Sequence, residues 1–231
     1  MNGLKMKTLR TWIPENFFKR LSYLIVALFI MAVGITIVIK ANLGQSTFSG
    51  FAYTLSTLAN IRIGTMLIYL NTLFFIMEVA ILRKKFPPFQ SLQIPVNLIF
   101  GELLNLFNYE VEMFNQISVQ AYPVRLVFMM VGAFCLAIAV AFINHIDLLI
   151  LPFEAIILLV SRVYKLNYRR FRTLLDLALV SSSVALTYGF ALGITPVREG
   201  TAFLALSLGS IIALGMKFWA RVLPDITPKQ P

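Results

Sequence analysis

Six apolar stretches, each close to the length that crosses a bilayer, exclude a soluble fold for this chain. They run Leu21–Ile39, Gly64–Leu82, Leu92–Asn108, Val124–Asn144, Phe171–Leu192 and Thr201–Val222. A helix needs about 20 predominantly apolar residues to traverse the hydrocarbon core. Charged residues make up only 13% of the 231, against roughly a quarter in soluble domains. Two further apolar stretches, Gln45–Asn60 and Leu148–Val163, are shorter or interrupted, and each follows the first long stretch of its half. They read as re-entrant or interfacial helices. The expected fold is therefore all-α and polytopic, with about six transmembrane helices and two short ones.

Charge orients these spans. With six crossings and a cytoplasmic N-terminus, sixteen of the 20 basic residues fall on the inside, including Arg83-Lys84-Lys85 and Arg162, Lys165, Arg169 and Arg170. Only Lys40, Arg62, Arg125 and Arg198 fall outside. That bias satisfies the positive-inside rule with both termini cytoplasmic; letting the two short stretches span would send Arg83-Lys84-Lys85 outside. The net charge of +10 thus reports orientation and contact with anionic head groups, and nucleic acid is excluded as a partner. Cys135 is the single cysteine and sits in an apolar stretch, so there is neither a disulfide framework nor a cysteine metal site. The first stretch is too long for a signal-peptide core and is expected to remain as a span. The expected location is a plasma membrane. Residues 1–20 form a basic lead with Trp12 and Phe17-Phe18, read as interfacial, a disordered tail being the alternative. Residues 21–222 form one membrane domain, with halves 21–108 and 124–222, and 223–231 a cytoplasmic tail.

Displaced by 105 positions, the chain aligns with itself. Arg20 falls on Arg125, Lys40-Ala41-Asn42-Leu43 on His145-Ile146-Asp147-Leu148, Phe48-Ser49 on Phe153-Glu154, and Asn71 on Asp176. Nine of those fifty-two ungapped pairs are identical, so the signal lies in where polar residues fall. A repeat containing an odd number of spans inserts its second copy upside down, an architecture common among secondary transporters, with the site where the copies meet.

Two polar breaks are the candidate site. In the first half, Lys40 to Thr47 places a charge, an amide, a glycine and hydroxyls between a long helix and a short one. Irregular backbone at membrane depth survives only against protein or a water-filled cavity. A short helix starting near Ser46–Ser49 aims its positive end at the occupant, and with Lys40 and Asn42 beside it an anionic group is favoured. The structural alternative has Lys40 reaching the outer surface and Gly44 making a turn. In the second half His145, the only histidine, stands near Asp147 and Glu154, where it could relay protons; the alternative is a histidine that caps the fourth span. One histidine and two carboxylates at this spacing form no recognised metal motif.

Asn71, Glu78, Glu102 and Asp176 lie within spans, where ionisable residues are costly and seek a partner or a cavity. Asn71 and Asp176, as repeat mates, flank the expected site. Glu78 and Glu102 are candidate coupling carboxylates, while Glu78 and Asp176 could instead reach water or pair with the arginines around Arg169–Arg172. The Ser181-Ser182-Ser183 and Ser207-Gly209-Ser210 groups read as packing surfaces. No phosphate loop, dinucleotide fingerprint, HExxH or nucleophile elbow occurs, which argues against an enzyme; one acting on lipid stands a distant third. No cofactor is expected.

Several motifs together resemble the bacterial YczE/YyaS/YitT-type membrane protein family. They are Lys40-Ala41-Asn42-Leu43-Gly44, Ile63-Gly64-Thr65, Leu82 to Phe86, Leu92 to Val96 and Val197 to Thr201, and the similarity spans about residues 20–222. It implies a multi-span protein of the bacterial plasma (inner) membrane with a repeated half and fixes no activity. By position, the family's small–Ser–Pro turn is replaced by Gln45-Ser46-Thr47, Pro152-Phe153-Glu154 keeps the proline–acid version, and His145 stands where a lysine-like residue is expected. The functional expectation is small-molecule transport by alternating access, with a small, anionic substrate and proton coupling as the first choices. Lys40, Asn42, Ser46 and Ser49 would form one half of the site and His145, Asp147 and Glu154 the other. The competing class is an accessory or regulatory membrane protein that binds a partner protein or a lipid head group. Membrane lipids are the expected partners, and homo-oligomerisation is left open.

Overall fold

A computed structural model describes residues 16–116 and 121–224. The interfacial reading of residues 1–20 and the tail at 223–231 therefore lie mostly outside the described residues. Nine α-helices are seen among those described: α1 (Phe17–Ala41), α2 (Thr47–Leu58), α3 (Ile63–Leu82), α4 (Gln93–Asn105), α5 (Glu112–Asn115), α6 (Tyr122–Ile146), α7 (Pro152–Val163), α8 (Tyr168–Gly189) and α9 (Glu199–Val222). A π-helical segment, Leu106–Glu110, prolongs α4. The fold is all-α, and the chain is a multi-pass membrane protein.

Four helices, α1, α3, α6 and α9, are long and apolar enough to cross a bilayer by length and composition. The other two expected crossings are less regular. The α4 helix has only 13 residues before its π segment, and α8, 22 residues long, opens with Tyr168-Arg169-Arg170-Phe171-Arg172. Both short stretches are 12-residue helices, α2 and α7.

The core is an antiparallel pair, α1 against α6. The Arg20 guanidinium near the start of α1 donates to the carbonyl of Ile146 at the end of α6. At the crossing, a Cβ on Gly34 would lie 2.8 Å from the Leu136 amide nitrogen, so glycine permits the close approach. On these two helices Leu24, Ala27, Leu28, Ala32, Ala133 and Ala137 are essentially inaccessible. Both helices stop by the same device. Asn42 (φ 51°) and Asp147 (φ 46°) take the left-handed conformation at the C-caps, which Asn and Asp tolerate better than other side chains with a Cβ.

The remaining helices clasp this pair. Trp219 of α9 stacks on Phe142 of α6 (centroids 4.0 Å apart, 13° between planes) and donates from Nε1 to the Ile138 carbonyl at 3.3 Å. Phe107, just beyond α4, meets Phe29 of α1 edge-on. The α3–α4 pair is close because Gly64 and Gly101 face each other, and Asn105 Oδ1 accepts from the Gly64 amide at 2.9 Å. Short helices cross between the halves: α2 packs on α8 and α7 on α3.

Candidate functional site

The two short helices begin at one point. Phe48 and Phe153, each the second residue of its helix, stack with centroids 4.1 Å apart and 6° between planes. Phe74 of α3 leans on both rings. Pro152 opens α7, where its missing N–H costs nothing and its φ is already helical. The positive ends of α2 and α7 therefore converge on this aromatic stack.

A charge cluster surrounds the stack. Arg172 of α8 donates from Nη1 to Glu154 Oε2 at 2.5 Å and from Nε to Asp176 Oδ2 at 3.0 Å. The guanidinium carbon lies 5.1 Å from the Phe153 ring centroid. Thr47, the first residue of α2, donates from Oγ1 to Asp176 Oδ1 at 2.6 Å. Each short helix thus has a carboxylate beside its N-terminus, Glu154 in the first turn of α7 and Asp176 against Thr47, and Arg172 holds both. Side-chain exposure is 27% for Arg172 and Asp176 and 40% for Glu154, so Glu154 is the carboxylate most open to exchange. Farther along α2, Thr54 Oγ1 and Ser183 Oγ are 2.6 Å apart.

Lys40 and Asn42 line a separate cavity of about 530 Å³, with Tyr53, Asn108, Tyr109 and the Gly193–Thr195 turn. Lys40 Nζ donates to the Asn108 carbonyl at 3.3 Å, and the buried Asn108 Oδ1 has no hydrogen-bond partner. The chain just after Asn42 and Thr195 is tied by backbone: Gly200 N–H donates to the Leu43 carbonyl at 2.8 Å and Gln45 N–H to the Pro196 carbonyl at 3.0 Å. Gly44 lies between these ties with φ +101°, and a Cβ there would sit 2.5 Å from Thr201 Oγ1. Only glycine fits that position.

The expected site residues are distributed as follows. Glu154 and Asp176 share Arg172. Lys40 and Asn42 share the cavity. Ser46 Oγ donates to Ser49 Oγ at 3.1 Å within the turn that starts α2. Asn71 is buried in α3 with Oδ1 unpartnered. His145 is buried, its Nε2 3.0 Å from the Leu223 carbonyl, which ties the end of α6 to the end of α9. Asp147 is exposed at the cap of α6, and Glu102 is exposed on α4. Glu78 is buried, with Oε2 unpartnered. His145, Asp147 and Glu154 thus have different surroundings. Tyr53 and Asn108 were not among the expected residues, Thr47 was expected only as the end of the Lys40–Thr47 break, and Arg172 only among the arginines that could pair with Asp176. Arg172 had a readable signal, its i,i+4 spacing to Asp176; the contact with Thr47 crosses 129 positions and had none.

Residues 18–217 match the model of a protein family. The chain belongs to the family of unknown function DUF6198. That description carries no link to the YczE/YyaS/YitT-type proteins. No curated protein and no solved structure matches the chain. The matched residues include both clusters, and the family's description assigns neither a role.

Proposed function

We propose that this protein is a secondary transporter of a small anionic molecule in a bacterial plasma membrane, working by alternating access across a six-span inverted repeat. The meeting of α2 and α7 at the Phe48–Phe153 stack, inside the cluster held by Arg172, carries the reading. Helix limits support the repeat: α1 and α2, displaced by 105 residues, coincide with α6 and α7. Phe48 and Phe153 are mates under that displacement, as are the left-handed caps Asn42 and Asp147. Two helix N-termini and Arg172 favour a carboxylate or phosphate oxygen. In this reading the substrate displaces Glu154 from Arg172 and takes its place at the α7 N-terminus. Lys40 in the cavity collects the anion from the outer side.

The test is a screen of small carboxylates and phosphates for thermal stabilisation of the purified protein, followed by uptake into proteoliposomes. The expected result is a ligand that stabilises the native protein, is taken up, and loses both effects in Arg172→Gln. Uptake unchanged in Arg172→Gln would remove the site. A second reading, an accessory membrane protein, draws support from α9. A Cβ on Gly209 would meet nothing within 4 Å, and Ser210 beside it is exposed, leaving a small-residue face for a partner helix. Co-purification of one defined membrane partner, lost in Gly209→Leu, together with no stabilising anion, would favour that reading.

A further inference from the structure

The cavity beside Lys40 has walls that discriminate among anions, which the Arg172 cluster by itself does not. Asn108 and Tyr109 reach it from the π-helical segment Leu106–Glu110. Such segments are rare and frequently mark functional sites. Tyr109 is tied in place: its hydroxyl oxygen accepts from the Ile63 amide at 3.2 Å, and the Arg62 guanidinium carbon lies 5.6 Å from its ring centroid. Arg62 also pairs with Glu110 at 2.7 Å. Tyr53 of α2 is a second aromatic wall, and Ile39 of α1 and Ile194, between α8 and α9, add aliphatic surface. The Asn108 carbonyl accepts from the Lys40 ammonium. Apolar and aromatic walls around a few placed polar groups are the usual form of a small-molecule site.

Charge and size narrow the occupant. Among the described residues, Lys40 is the single basic residue that lines the cavity, and no acidic residue lines it. One positive charge balances a monoanion, whereas a dicarboxylate or a phosphate dianion would bring a second charge with no second cation in the walls. The volume of about 530 Å³ would hold about 18 water molecules at ~30 Å³ each. Acetate or inorganic phosphate fills a small part of it and leaves the isoleucines and both tyrosine rings against water. An apolar body displaces that water and gains in proportion to the area it covers. We propose that this cavity binds a monocarboxylate with an apolar body, the carboxylate on Lys40 and the body against Tyr53, Tyr109, Ile39 and Ile194. The aromatic wall contributed by Tyr109 is held before the ligand arrives, so little ordering is required on binding.

The site rests on the transport reading only for its role as the entry to the Arg172 cluster; binding itself does not. The experiment reads occupancy at the cavity itself. In a Cys135→Ser background, Thr195→Cys places one thiol on the exposed cavity rim, and Ala59→Cys places one at an exposed position that does not line the cavity. The rate of reaction with N-ethylmaleimide is measured on the purified full chain at fixed pH and ionic strength. Phenylacetate and isovalerate are expected to slow it saturably at position 195 and to leave position 59 unchanged. Acetate and phosphate should require about tenfold higher concentration or more. Phenylacetamide keeps the body and lacks the charge, and should bind about tenfold more weakly than phenylacetate. Lys40→Gln should erase that difference. If this variant does not fold, the acid–amide comparison on the native lysine decides alone. No slowing by either phenylacetate or isovalerate, or equal slowing at position 59, overturns the site. So does phosphate or acetate matching phenylacetate, phenylacetamide matching it, or Lys40→Gln keeping the native preference for the acid. Protection at position 195 without uptake of any anion into proteoliposomes sustains the site and sinks transport; uptake without protection does the reverse.

Discussion

Arg172 is the residue on which the charge cluster around the Phe48–Phe153 stack turns. Its fork lets one cation serve two carboxylates from different directions, which a lysine ammonium on a flexible stem reproduces poorly. Arg172→Lys is therefore expected to keep the charge and lose the geometry, lowering anion affinity about tenfold or more while leaving the fold intact by circular dichroism. Thr47→Val removes the hydroxyl that reaches Asp176 across the chain. Hydrogen bonds to charged groups contribute about 1.5–3 kcal/mol, so the unfolding midpoint should fall measurably, and Thr47→Ser should restore it. Gly44→Ala combines a left-handed φ with a clash against Thr201. A loss of about 1–3 kcal/mol is expected in denaturant or thermal unfolding, and unchanged stability would show that the turn relaxes easily.

Among the elements, the long helices are held together by aromatic stacks at some crossings and by close approaches of small residues at others. Trp219→Ala removes the Phe142 stack and the bond to Ile138, and large-to-small aromatic losses of this kind cost about 3–5 kcal/mol. The variant should express poorly or unfold several degrees earlier. Long helices were legible because continuous apolar runs of bilayer length admit little else: the first expected span, Leu21–Ile39, sits inside α1, and Val124–Asn144 inside α6. The ends were less legible. Helix α1 begins four residues before its apolar run, at Phe17, because basic residues extend a membrane helix into the interface without breaking it. Helix α7 starts four residues after Leu148, at Pro152, where the fixed φ sets the first turn.

For the whole molecule, the proposed inverted repeat makes a prediction that the 105-residue displacement makes specific. Ala59 and Tyr164 follow α2 and α7 at equivalent places, 105 residues apart, and both are exposed. In a Cys135→Ser background, single cysteines at these positions should react with an impermeant reagent from opposite sides of the membrane, position 59 from outside and position 164 from inside. Labelling from the same side would sink the inverted arrangement. Sequence alone determined that the chain lies in a membrane, where its long helices fall and which polar residues sit at equivalent places, because hydrophobic length and periodic placement are local properties. Only the tertiary structure decided which of those polar residues meet. Lys40 lies at the Asn108 cavity, His145 at Leu223, and Glu154 with Asp176 at Arg172. Contacts such as Lys40–Asn108 and His145–Leu223 join residues 68 and 78 positions apart and depend on how the helices cross, and helix packing angles are set by side-chain shape in three dimensions, which no one-dimensional pattern records.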